Sequence, residues 1–222
     1  MENLLLVLEQ IVTGGVFETL KVTAVALCFG VLLGLLACIG KMSRFFIPRA
    51  IAKVYIEIIR GTPILVQALF FYIGVNSLLV GATGGQFRMD PLFCGMFVCS
   101  LNSGAYVAEI FRAGIQSVDK GQMEAARSLG MPQKMAMKEI ILPQAIRTIL
   151  PSLGNEFVVL VKETSILSVI GVPEITRIGQ LNSSVTYKMF SAYLGVAIAY
   201  FVLTFTLSRL VNLLERRLAV SD

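Results

Sequence analysis

The chain has 222 residues, 56% of them hydrophobic and 15% charged, with a mean hydropathy of +0.79 and a net charge of +5. That apolarity excludes an ordinary soluble domain; it fits one integral-membrane domain over residues 1–222, with room for roughly five or six spans of about 20 residues. Histidine is absent, which removes the usual general base, the commonest metal ligand and every Ser-His or Cys-His pair.

No catalytic residue and no metal site are therefore expected. Cys28, Cys38, Cys94 and Cys99 lie in apolar runs without metal-ligand spacing and read as small buried hydrophobes. In a chain this apolar the positive charge belongs to membrane topology rather than to nucleic acid. The start, Met1-Glu2-Asn3, has no basic leader region, so a cleaved signal peptide is not expected.

Residues 2–13 place Leu4, Leu5, Leu8 and Val12 among Glu2, Glu9 and Gln10. That stretch is too short to cross and reads as an interfacial helix. The first span runs from about Phe17 to Ile39 and carries Gly30-x-x-x-Gly34, which lets a neighbouring helix come close. The second span follows Lys53 and reaches about Val80, with a kink or break expected at Gly61-Thr62-Pro63. A third span runs from Pro91 to about Ile115, a fourth from about Ala145 to Val172, and a fifth from about Phe190 to Leu214.

Orientation follows from Lys and Arg. The loop after the first span has Lys41, Arg44, Arg49 and Lys53; the loop after the third has Lys120, Arg127, Lys134 and Lys138; the tail has Arg209, Arg216 and Arg217. The opposite loops offer Arg88, Arg177 and Lys188. The positive-inside bias puts the N-terminus outside and the C-terminus in the cytoplasm, a parity that five spans satisfy.

The polar loop between the third and fourth spans, about residues 118–143, is the chain's most informative stretch. Lys120 to Lys138 can form one or two short helices, broken near Gly130-Met131-Pro132. Ala125 and Ala126 are small enough for a partner's backbone to approach, while Leu129, Met131 and Met135 offer a deformable apolar face. Glu124 is expected near the helix start, where the dipole favours a carboxylate. An amphipathic loop helix could equally lie flat on the membrane, so composition does not decide its role. The spacing is more specific: Glu124-Ala125-Ala126, three residues, Gly130, nine residues, then Ile140-x-Leu142-Pro143.

That pattern resembles the Glu-Ala-Ala loop of binding-protein-dependent ABC importer permeases. Glu57-Ile58-Ile59-Arg60-Gly61-Thr62-Pro63 with Gln67, and Gly154-Asn155-Glu156-Phe157 with Lys162-Glu163-Thr164-Ser165, are similar to the polar amino acid subfamily, of histidine, glutamine and arginine type. The resemblance covers nearly the whole chain. It implies an all-α integral-membrane type I permease fold, with five transmembrane helices, the N-terminal interfacial helix and a cytoplasmic coupling helix, in a bacterial inner membrane. It also implies coupling to an ATPase through Glu124, Ala125, Ala126, Leu129, Gly130, Met131 and Pro143.

The implied partners are a cytoplasmic ABC ATPase dimer, a second permease (identical or homologous), an extracytoplasmic amino-acid-binding protein and membrane lipid, with no nucleic acid. No cofactor is expected on this chain, which has no Gly-x-x-x-x-Gly-Lys-Ser/Thr loop; ATP and magnesium would sit on the partner ATPase.

Polar residues inside spans are costly and call for a reason. Asn102, Ser103, Tyr106 and Glu109 fall at helical spacing in the third span; Ser152, Asn155, Glu156 and Glu163, with Lys162 beside them, fall near one face of the fourth; Thr62 and Gln67 flank the proline break. The expected substrate path is Thr62, Gln67, Asn102, Ser103, Asn155, Glu156, Lys162 and Glu163. Lys162 or free N–H groups at the break would meet a substrate carboxylate, and Glu156 or Glu163 an ammonium, with Glu156 preferred and a lean toward basic amino acids.

Structural readings stand beside these. Glu57 and Arg60, three apart, suit a helix ion pair; Lys162 and Glu163 can pair with each other; Asn155 can bridge helices; Glu109 and Arg112 suit a gate or anchor. The alternative function is an ATP-independent secondary transporter, though a second broken helix in a matching half is not evident. A membrane enzyme lacks a nucleophile–base pair.

Overall fold

The computed structural model describes residues 2–219, which contain helices and no strand. Helix α1 (Glu2–Gln10) passes through a π turn, Ile11–Gly15, directly into α2 (Val16–Met42), with helical backbone at each junction. The expected separate interfacial helix is thus the first part of a 40-residue apolar helix over Asn3–Met42. At about 1.5 Å per residue that helix spans roughly twice the hydrocarbon core. The reason is packing: Val7 and Ile11 are buried against Ile175, Ala192 and Val196, and those contacts hold the segment against the bundle.

The second crossing is built from pieces. Helix α3 (Phe46–Gly61) ends where Thr62 (φ −122°, ψ 142°) and Pro63 (φ −63°, ψ 137°) turn extended, as the residue before a proline prefers. Helix α4 (Ile64–Leu69), a π turn over Phe70–Val75 and α5 (Asn76–Ala82) complete it. The stretch apolar enough to cross is Ile64–Ala82, shorter than the expected span from Lys53, because α3 carries Arg49, Lys53, Glu57 and Arg60. Tyr55 ties α3 to the next helix by donating to the Leu101 carbonyl at 2.7 Å.

Helix α6 (Pro91–Gln116) is the hub. Asp90 caps it, accepting from the N–H groups of Leu92 and Phe93. Its main partner is α2. A Cβ on Gly30 would lie 2.8 Å from Ser103 Oγ, and one on Gly34 2.6 Å from a Val107 methyl. The glycine motif is therefore consumed inside this chain and is not free for a subunit seam.

After the polar loop, α9 (Leu142–Glu163) continues as a 3-10 turn, Thr164–Ile170, to a left-handed Gly171. Its polar and charged residues keep it out of the set of four stretches that, among the described residues, are long and apolar enough to cross, which lie in Asn3–Met42, Ile64–Ala82, Pro91–Gln116 and Met189–Arg217. Packing makes it the fifth crossing. Ile149 meets Gly114 at one end of α6 and Leu167 meets Gly95 at the other, so α9 runs antiparallel across the same thickness.

Helices α10 (Ile175–Thr186) and α11 (Met189–Ala219) finish the fold. The sequence places residues 173–189 in a loop between the fourth and fifth spans; the structure makes most of that loop the helix α10. Its N-cap is the fully buried Glu174, which accepts from Thr176 and Arg177 N–H and from the Tyr200 hydroxyl at 2.7 Å. Cys38, Cys94 and Cys99 are buried as expected; Cys28 is exposed.

Candidate functional site

Two regions carry the candidate residues. The first is the loop after α6. Helix α7 (Lys120–Ser128) is capped by Asp119, which accepts from Gly121 N–H at 2.7 Å. Asp119 therefore takes the place expected for Glu124, which sits mid-helix, exposed. The helix stops at Gly130, whose φ of 85° suits glycine. There Met131 N–H bonds back to the Ala126 carbonyl and Gly130 N–H to that of Arg127, the paired Schellman ending. Pro132 then opens α8 (Gln133–Ala136), and a π turn over Met137–Ile141 leads into α9, with Pro143 in its first turn.

The loop thus divides by contact. Ala126 is buried against its own chain, which removes it as a surface for a partner. Glu124 and Ala125 are exposed, as are Leu129 (85%) and Met135; Met131 is half-buried. Among the described residues Glu124 has no ion pair. An apolar, solvent-facing ridge with a free carboxylate beside it is what a docking element presents.

The second region is the break between α3 and α4. Ending a helix strands backbone carbonyls, which must find donors. Thr62 Oγ1 donates to the Ile58 carbonyl at 2.8 Å; Gln67 Nε2 donates to the Ile59 and Thr62 carbonyls at 2.8 and 3.1 Å. Asn102 Nδ2 in turn donates to Gln67 Oε1 at 3.3 Å, while Asn102 Oδ1 is buried and unpaired. Thr62, Gln67 and Asn102 form one network, and part of its work is structural.

Beside this network lies a cavity of about 430 Å³, lined among others by Arg60, Thr62, Asn102, Tyr106 and Glu163. The Arg60 guanidinium stands 5.1 Å from the Tyr106 ring centre. Glu57 pairs instead with Lys53, at 3.7 Å, so the expected Glu57–Arg60 pair does not form. Asn102 and Tyr106, four apart, share the cavity face. Ser103, one residue on, faces α2 beside Gly30.

Glu156 lies next to Ser103 without a well-formed hydrogen bond between them. Both are buried and neither lines the cavity. Asn155 and Lys162 are exposed and also outside it, and Lys162 closes no ion pair with Glu163 among the described residues. Of the eight expected path residues, Thr62, Asn102 and Glu163 meet at one cavity and Gln67 braces it. Tyr106, which shares its helical spacing with Asn102, lines the cavity although it is not among the eight expected path residues, and Arg60, expected in an ion pair with Glu57, lines it as well.

Residues 27–220 match the model of the family described as binding-protein-dependent transport system inner membrane component. The chain belongs to that family. The permease is 38% identical over 207 residues to a putative glutamine transport system permease protein of Rickettsia typhi, covering 93% of this chain and 92% of the relative. It is 36% identical over 206 residues to the glutamine transport system permease protein of Escherichia coli K12, with the same coverage.

A crystal structure of an amino acid ABC transporter with histidines superposes with a TM-score of 0.87 at 48% identity, over 94% of both chains. The inward-facing MetNI methionine ABC transporter shares the fold, with a TM-score of 0.67 at 20% identity over 92% of this chain and 95% of that one. The permease is the multi-pass membrane component of an ABC importer, grouped by sequence with amino acid permeases. Membership in this family, whose ATPase is a separate subunit, sets aside the gradient-driven carrier.

Proposed function

We propose that this permease forms half of the translocation path of an importer for polar amino acids, with substrate held at the α3–α4 break. The observation that carries the reading is the cavity itself: one cation, Arg60, one carboxylate, Glu163, and amide and hydroxyl groups on a broken helix. A zwitterion offers a carboxylate to the first and an ammonium to the second, and Thr62 and Asn102 supply neutral hydrogen bonds. The names of the relatives, which concern glutamine and histidine, support this class. With Glu156 away from the cavity, the lean toward basic side chains loses one of its two acidic supports.

The rest of the assembly follows from the loop. A second permease, identical or homologous, completes the path, and two ATPase subunits carrying ATP and magnesium seat against Glu124, Ala125, Leu129 and Met135. A binding protein delivers substrate at the other end. The Lys and Arg bias places the loop in the cytoplasm and the N-terminus outside.

The test is uptake of labelled glutamine, histidine and arginine into liposomes containing the complex and its binding protein. Glu163→Gln is expected to lower uptake about tenfold or more, since it removes the carboxylate that would pair with the substrate ammonium. Unchanged uptake would take Glu163 out of the site. Uptake without ATP would overturn the importer mechanism.

A further inference from the structure

One cluster of charges takes no part in the cavity or the docking ridge. It lies where α2 ends and α6 approaches its last turn. Lys41, in the final turn of α2, donates to Glu109 Oε1 of α6 at 2.6 Å. The other oxygen, Oε2, accepts from Arg112 Nε and Nη2 at 3.0 and 2.7 Å. Arg112 reaches on to Gln116 Oε1 at 2.5 Å. Gln116 is the last residue of α6, and Ser117, Val118 and Asp119 separate it from α7.

The carboxylate is saturated, one oxygen to each helix's cation, with its side chain 15% exposed. Such a pair, partly shielded from water, is worth more and is geometrically stricter than a surface ion pair. It also sits at a mechanical junction. Along their middles α2 and α6 touch through Gly30, Gly34 and Gly104, where added side-chain atoms would clash at 2.6–2.9 Å. Beyond Gly34 toward the loop, α2 has no further such glycine against α6, and the Lys41–Glu109 pair takes over. A displacement entering at α7 passes to α6 through Ser117–Asp119 and to α9 through the π turn on which α7 packs, and the clamp is a polar link between α6 and α2 near the loop end of their seam, beside the apolar contact of Phe111 with Ala37 and Cys38.

We propose that Glu109 is a positioning residue for energy coupling: by holding Lys41 and Arg112 together it makes α2 and α6 move as one lever driven by the α7 loop. The proposal rests on the reading of that loop as the ATPase contact. Coupling is carried by discrete packed and hydrogen-bonded links, and removing one shifts the balance between drive and response rather than either alone.

The experiment uses the reconstituted complete importer and measures ATP hydrolysis and amino acid uptake on the same liposomes. For Glu109→Gln and Lys41→Met, hydrolysis stays near the wild-type rate while uptake per ATP falls about tenfold; Lys41→Arg, which keeps the pair, restores the wild-type ratio. An unchanged ratio in Glu109→Gln overturns the proposal, as does a parallel fall of hydrolysis, uptake and thermal stability. If Glu109→Gln does not assemble, Lys41→Met, which leaves the Glu109–Arg112 bond intact, decides by the same ratio. Leu129→Asp separates the two readings: ATPase subunits that still bind this variant overturn the loop assignment, whereas a lost ATPase with a normal Glu109→Gln ratio overturns the clamp alone.

Discussion

Helices α6 and α11 are both long and apolar enough to cross a bilayer, yet 61% of the most apolar stretch of α6 is buried and 11% of that of α11. Hydrophobicity does not separate them, because lipid tails are as apolar as a helix neighbour. Side-chain size does. Helix α6 presents Ser100, Ser103, Gly104, Ala105 and Ala108 to its neighbours, while α11 turns Phe201, Val202, Phe205 and Leu210 outward. Close approach needs small residues; contact with lipid or a second permease tolerates large ones. The inner helix can therefore also hold polar groups such as Asn102, since neighbouring helices shield them.

The comparison breaks most clearly at the α2–α6 seam. Gly34→Leu places atoms within 2.6–2.9 Å of Val107 and Ala108, and is expected to cost about 3 kcal/mol by overpacking. Loss of a monodisperse complex, or a large fall in its thermal midpoint, is the expected readout. A midpoint equal to wild type would mean that the two helices separate freely.

The anchoring of α11 gives the next effect. Glu174→Ala leaves the Tyr200 hydroxyl and two part-buried backbone N–H groups without their acceptor. The expected loss is about 2 kcal/mol, read by thermal unfolding in detergent, with Glu174→Gln falling between the two. Equal stability of all three proteins would show that α10 is held by apolar packing alone. The smallest effect belongs to the outer face: Phe201→Leu is expected to change stability by less than about 0.5 kcal/mol. A larger loss in the isolated chain would mean that this face is covered within the permease.

Much of the site was legible in sequence because its signals are local. Gly61-Thr62-Pro63 broke the helix where proline chemistry requires, and Gly130 ended α7 with the backbone bonds that a left-handed glycine allows. The distribution of polar residues was less legible. Asn102 and Ser103 are neighbours in the chain, and Glu156 and Glu163 lie about two helical turns apart; which of them meets the cavity depends on how α6 and α9 are rotated against α2 and α4. Helix α10 escaped for a related reason, since its cap Glu174 reads as a solvated loop acid until Tyr200 is seen to cover it.

Composition, apolar periodicity and the placement of glycine and proline by themselves determined that this is a helical membrane protein with a broken second span and a polar loop between its third and fourth spans. Tertiary structure decided that the N-terminal segment joins the bundle, that Gly30 and Gly34 serve α6, and that Arg60, Asn102, Tyr106 and Glu163 share one cavity while Glu156 does not. Helix breaks and caps are settled by neighbours in the chain. The face a membrane helix turns inward is settled by fit against other helices, and the pattern of hydrophobicity along one helix does not record it.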